Sequence, residues 1–202
     1  HGQTFPMNIK KCLWLFFLCF LSAPSIQAQR NYIDIPNYIL CINSYAESTP
    51  WSTRMISTIS EYVQKDPQLA LYAEHMNTFM IDNDSILKEF KNMLSQKYTQ
   101  PHPRLLVLLG SPAFTLRDEY RKLWGDIPIV LCSEEAFQGP HEAYLQKQAI
   151  KLKDRTPIAQ FSKPYNMVFL YSELYLRENV QLINHIKPNI KKFIFIGDKR
   201  EV

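Results

Sequence analysis

The chain has 202 residues, of which 46% are hydrophobic and 21% charged, with only 5 glycines; this balance excludes a disordered polypeptide, a collagen-like repeat and a small disulfide scaffold. A chain of this size buries roughly 70% of the surface its unfolded form exposes, enough for one large domain or a domain with part of another. Lysine and arginine number 23 against 19 acidic residues, with no basic block: Lys191-Lys192 and Lys199-Arg200 are pairs suited to the solvated flanks of a strand, so nucleic acid is not an expected partner.

Residues 1–28 read as a leader. Met7 precedes Lys10 and Lys11, an unbroken apolar run from Cys12 to Leu21, and a small-residue exit ending at Ala28, the order of a secretory signal peptide. The apolar run is shorter than the about 20 residues a membrane span needs. Cleavage is expected after Ala28, with Ile26 three positions before the cut. The six residues ahead of Met7 fit no part of a signal and read as an upstream remnant. Losing the leader removes Lys10 and Lys11 and no acids, leaving 21 basic against 19 acidic residues. It also removes Cys12 and Cys19, so Cys41 and Cys132 remain in an exported, oxidising setting. Both sit in apolar runs. On parallel strands one apart their backbones would lie about 10 Å from each other, beyond the roughly 7 Å limit for a disulfide, so two free, buried thiols are predicted.

From residue 38 short apolar and β-branched runs alternate with longer segments of helical periodicity. This is the pattern of an α/β fold with a doubly wound parallel sheet. Residues 38–44 are the first predicted strand. Pro50 suits the first turn of a helix capped by Thr49, and Trp51, Met55, Ile56, Ile59, Tyr62 and Val63 recur on one face. A second strand is predicted over 68–75. Asp82-Asn83-Asp84 then suits the positive end of a helix whose stripe is Ile86, Leu87, Phe90, Met93 and Leu94. After Pro101-His-Pro, the run Arg104-Leu-Leu-Val-Leu-Leu-Gly is apolar on both faces, which places it in the middle of a parallel sheet. Ser111-Pro112 repeats the cap-then-proline device and opens one helix, with Ala113, Leu116, Tyr120, Leu123 and Trp124 inward and Gly125 at its end. Residues 127–132 are the fourth strand.

A helix over 142–152 is followed by irregular connectors at Asp154-Arg-Thr-Pro and Ser162-Lys-Pro. A lobe boundary is placed here, separating a first lobe with its connector, 29–165, from the beginning of a second, 166–202. The second part holds an apolar run over 167–171, a helix over 174–186 and a strand at Phe193-Ile-Phe-Ile-Gly. A parallel strand needs a crossover and neighbours, so residues 166–202 read as the start of a truncated second lobe.

Several chemistries are excluded by motif. The glycines after the leader, Gly110, Gly125, Gly139 and Gly197, make neither a G-x-G-x-x-G nor a Walker A loop, and no nucleotide cofactor is expected. There is no C-x-x-C, and His141-Glu142 lacks a second histidine four positions on, so no metal site is predicted. Ser111 lies in Gly-Ser-Pro and not in G-x-S-x-G, and Asn43-Ser44-Tyr45 lacks the carboxylates of a phosphoacceptor domain. No catalytic residue is assigned.

What remains is ligand binding. Open parallel sheets take ligands outside the carboxyl ends of their strands, where strand order reverses. The candidates there are Ser44, Tyr45 and Trp51 after the first strand, Ser111 after the third, and Ser133 and Glu134 after the fourth. Together they suit a small polar or anionic organic molecule. Ser111 also reads as a helix cap, and Trp51 as core packing or a stacking surface. Glu134 and Glu135 read as solvated carboxylates or as ligand contacts. His75, His102 and His185 read as surface or half-buried residues, and Asp198 as a turn or capping residue.

The run Tyr38-Ile-Leu-Cys-Ile-Asn-Ser-Tyr with Pro50-Trp51, continued by Glu74-His-Met-Asn-Thr, Leu106-Val-Leu-Leu-Gly-Ser-Pro-Ala, Ile127-Pro-Ile-Val-Leu-Cys, Asp154-Arg-Thr-Pro-Ile, Pro164-Tyr-Asn-Met and Lys192-Phe-Ile-Phe-Ile-Gly-Asp, resembles a family of periplasmic sensor domains. These domains are related to ABC-transporter substrate-binding proteins and head hybrid two-component histidine kinases of Bacteroides-type bacteria. The resemblance implies the N-terminal lobe of a type I periplasmic-binding-protein-like fold plus the start of the second lobe. It implies a periplasmic, membrane-anchored sensor that a ligand closes by population shift, compatible with a homodimer and coupled to a kinase, a receiver and often a DNA-binding domain. These 202 residues contain no second lobe, membrane helix, phosphoacceptor histidine box or ATP-binding element. The alternative is the substrate-binding component of an ABC uptake system. A third reading, a periplasmic hydrolase using Ser111 with His141 or Glu134, lacks a base and oxyanion pattern.

Overall fold

The first strand, β1 (Tyr38–Asn43), is apolar up to its last residue and fully buried at Tyr38, Leu40, Cys41, Ile42 and Asn43. This and the other elements belong to a computed structural model that describes residues 37–194 apart from 79, 81–83, 146, 147, 149 and 174. The leader, Asp82, Asn83, Gly197 and Asp198 lie outside the described residues. So does most of the strand expected at 193–197, whose first two residues, Phe193 and Ile194, have irregular backbone.

In chain order β1 is followed by α1 (Pro50–Val63), β2 (Ala70–His75), α2 (Asp84–Lys97) and β3 (Leu105–Leu109). Then come the one-turn α3 (Ser111–Phe114), α4 (Arg117–Trp124), β4 (Ile129–Ser133), β5 (Phe137–Gln138), α5 (His141–Leu145), β6 (Thr156–Pro157), β7 (Met167–Tyr171) and α6 (Leu176–Ile186). Five strands form one parallel sheet in the order β2-β1-β3-β4-β7, while β5 and β6 pair antiparallel beside it. The α/β class with a doubly wound parallel sheet is therefore as predicted.

Alternation along the strands divides the core in two. On one face Tyr38, Leu40, Ile42, Leu106, Leu108, Ile129, Leu131 and Met167 pack against Leu87 and Leu94 of α2, Phe114 of α3, Tyr120 and Trp124 of α4, and Ile158. On the other, Cys41, Val107, Leu109 and Cys132 meet Trp51, Met55, Ile56 and Ile59 of α1. Helices thus cover both faces, which is why β3 is apolar on both. Cys41 and Cys132 are buried and free, on strands separated by β3.

Three expectations change. The single helix from Ser111 to Gly125 is two, because all four residues of α3 are buried and a helix lying along a sheet can bury only one face. The Thr115 hydroxyl closes the turn by donating to the Pro112 carbonyl at 2.7 Å, and α4 restarts at Arg117. The helix expected over 142–152 does not run that length: it is described over His141–Leu145, and Gln148 and Ile150 are no longer helical; the Gln148 amide bonds the Ala143 carbonyl five residues back, and the Arg155 guanidinium takes the Ile150 carbonyl. The apolar run over 167–171, placed beyond the lobe boundary in the sequence, joins the same sheet as β7, paired along its length with β4.

β7 and α6 are less covered than the rest. Val168 and Leu170, on the α1 side of the sheet, are 59% and 51% exposed, and α6 has no buried residue. No helix among the described residues is long and apolar enough to cross a membrane.

Candidate functional site

Strand order reverses between β1 and β3: β2 lies beyond one, β4 and β7 beyond the other. The crevice that such a reversal creates lies at the carboxyl ends of those strands. The hydrogen-bond ladder continues one residue past the strands, with the Ser44 amide donating to the Leu109 carbonyl and the Gly110 amide to the Cys132 carbonyl. Ser44, Gly110 and Ser133 therefore form a row across β1, β3 and β4, with Tyr45, Ser111 and Glu134 next along the chain. Of the residues expected on the rim, the strand register brings Ser44, Tyr45, Ser111, Ser133 and Glu134 to one end of the sheet.

Their chemistry is more internal than expected. Ser44, Ser111 and Ser133 are buried, at 0–1% exposure. The Ser44 hydroxyl donates to the Gly110 carbonyl at 3.2 Å and accepts the Ala113 amide at 2.8 Å, so it closes the amino end of α3 from across the strand reversal. Gly110 has φ of 88°, and a Cβ built on it would stand 2.9 Å from both Ser44 Oγ and Tyr45 Oη. The left-handed backbone and this close approach together require glycine. Tyr45 meets Trp51 edge-on, with centroids 5.9 Å apart. Trp51 also packs on the Cys41 cluster, so packing and rim duty coincide in one side chain.

Ser111 is not a helix cap. Gly110 occupies that position, and Ser111 is the first residue of α3. Its hydroxyl donates to Glu135 Oε2 at 2.8 Å, while the Glu135 amide donates to Ser133 Oγ at 3.0 Å. Glu135, which with Glu134 reads from sequence as a solvated carboxylate or a ligand contact, thereby ties the ends of β3 and β4 together. Burial pushes its carboxyl up from the ordinary value and Glu134 adds to the rise; the Ser111 hydroxyl and the Arg155 guanidinium oppose it without cancelling it. Glu134 is half-buried beside it. Ser111 is thus committed to Glu135 rather than to His141 or Glu134, and the hydrolase arrangement is not assembled. His141 lies among Glu142, Lys91, Asp84 and Arg117, and burial lowers its pKa.

Sequence reasoning also missed a polar group beneath the rim. Asn43 and Ser52 are fully buried. The Asn43 amide nitrogen lies 3.1 Å from Ser52 Oγ and 2.9 Å from His75 Nδ1, and its oxygen accepts the Tyr45 amide at 3.2 Å. The available signal was a single amide residue ending the apolar run of β1. Among the described residues no three His, Cys, Asp or Glu side chains are grouped to hold a metal ion. No family model, curated protein or solved structure matches the chain.

Proposed function

We propose that the chain is the extracytoplasmic, small-molecule-binding part of a two-component sensor histidine kinase. The observation that carries this reading is the row of Ser44, Ser111, Ser133 and Glu135 at the carboxyl ends of β1, β3 and β4, beside the strand reversal where doubly wound sheets take their ligands. The ligand is a small polar molecule. Its donors compete with the Ser111 hydroxyl for Glu135, its acceptors take the freed hydroxyl, and Tyr45 and Trp51 supply an apolar wall.

The finer assignment belongs to the same proposal and rests on the sequence resemblance. These residues are the first lobe of a type I periplasmic-binding-protein-like fold and the opening of the second, exported to the periplasm and joined in the full-length protein to an inner-membrane-anchored kinase. Ligand contact with both lobes favours the closed state by its differential affinity, and closure repositions the segment that leads from the second lobe to the membrane. Half of the contacts come from the second lobe, so binding to this chain alone is weak.

The test suits weak binding. The 15N-labelled chain is titrated with a panel of amino acids, small carboxylates and monosaccharides while amide shifts are monitored. The expected result is a set of concentration-dependent shifts shared by Ser44, Tyr45, Ser111, Ser133 and Glu134. Perturbation confined to residues away from the rim sinks the reading, as does none at all. The kinase portion stands or falls on the gene downstream of codon 202, where a membrane span and a histidine box are expected and a stop soon after a second lobe would favour the uptake component.

A further inference from the structure

The hydrogen bonds around Asn43 have a fixed direction. Its Oδ1 accepts the Tyr45 amide at 3.2 Å, an Asx turn that bends the chain out of β1. The other end of the amide, Nδ2, can only donate, and it faces Ser52 Oγ and, at 2.9 Å, His75 Nδ1. Nδ1 of His75 must therefore accept, which places the single proton of the neutral ring on Nε2.

We propose that His75 is a proton-responsive latch on the rim: neutral, it holds the Asn43 amide and through it the Asx turn into Tyr45, and protonated, it releases that turn, while Ser44 stays fixed by its own bonds to Leu109, Gly110, Ala113 and Thr78. A protonated ring carries hydrogen on both nitrogens, so two donors then oppose each other across 2.9 Å. Rotating the amide offers His75 its oxygen but turns Nδ2 toward the Tyr45 amide, and the Asx bond is lost either way. Ser52 provides no relief, because its hydroxyl proton goes to the Thr49 carbonyl.

The neighbours of His75 leave this logic undisturbed. Among the described residues β2 is an edge strand paired with β1, His75 stands opposite Asn43, and alternation puts it on the face covered by α1 with Leu71 and Ala73. α1 presents Trp51, Met55, Ile56 and Ile59 there, while its charged Arg54 and Glu61 are exposed, as is Glu47 in the preceding loop. From β1 the facing titratable group is the Cys41 thiol, pushed up to about 12 by burial and so neutral. Glu74 points to the opposite face, bonded to Tyr98 Oη and Lys97 Nζ.

The consequence for binding rests on the rim reading: a ligand touching Tyr45 meets an ordered turn when His75 is neutral and a loosened one when it is charged. The test reads the turn itself, so a failed latch leaves rim binding open and an absent ligand leaves the latch readable. The full chain is labelled with 5-fluorotryptophan and monitored by 19F NMR across pH, with the His75 ring signals followed in the same samples. The Trp51 signal, identified by its loss in Trp51→Phe, reports on the Tyr45 ring that meets it edge-on. It is expected to shift with the midpoint of the His75 ring proton. The shift disappears in His75→Asn, which keeps an acceptor near the Nδ1 position without titrating, and in Asn43→Asp, whose second oxygen accepts from a protonated ring. A Trp51 signal that stays still while His75 titrates overturns the proposal, as does one that shifts with a different midpoint. Retention of the shift in whichever of the two variants folds overturns it as well.

Discussion

Glu135 shows how burial outweighs local partners at a single residue. One hydroxyl and one guanidinium favour its charged form, yet desolvation raises its pKa above the ordinary carboxyl value. With the folded value raised, its contribution to stability is fully present below the ordinary carboxyl pKa and is lost as pH rises through the folded value. Glu135→Gln keeps an acceptor for Ser111 and removes the charge. The variant is expected to be more stable than the wild type at neutral pH, with the gap narrowing as pH falls through the carboxyl range, as measured by urea denaturation across pH. A gap that widens on acidification would mean that folding lowers the Glu135 pKa instead. The carboxylate was visible in the sequence, but its partner was not: Ser111 lies 24 residues away, and only the adjacency of β3 and β4 brings the two together.

Among the elements, strands were easier to read than helices. The five-residue run Leu-Leu-Val-Leu-Leu can only be buried on both sides, and β3 does pair on both sides, with β1 and β4. The break between α3 and α4 left no such mark, because Ala113, Leu116, Tyr120 and Trp124 keep helical spacing straight through it. Position in the sheet also grades the strands. Leu131 in β4 is fully buried, whereas Leu170 on the neighbouring β7 is half-exposed. Leu131→Ala should cost about 2–5 kcal/mol through transfer and cavity terms, and Leu170→Ala about 0.5 kcal/mol as a surface change. Equal losses in chemical denaturation would mean that β7 is covered in solution.

For the molecule as a whole, parallel order decides the redox behaviour. β3 keeps Cys41 and Cys132 on separate strands, and burial raises both thiols, that of Cys41 to about 12. The thiolate is the reactive form, so brief alkylation with iodoacetamide should leave both unlabelled in the native chain and modify both in guanidinium, as read by peptide mass mapping. Labelling of either in the native protein would contradict its burial.

The amino-acid sequence by itself determined the α/β class, the parallel direction of the strands, the free thiols and the rim on which Ser44, Tyr45, Ser111 and Ser133 lie. Each of these comes from local periodicity and from the rule that a parallel strand ends where its crossover begins. Only the tertiary structure decided that Ser111 bonds Glu135, that Asn43 joins His75 to the Tyr45 turn, and that β7 extends the same sheet. Those outcomes depend on which strands become neighbours and in what register, and a hydrogen bond between residues distant in the chain leaves no periodic trace in either segment.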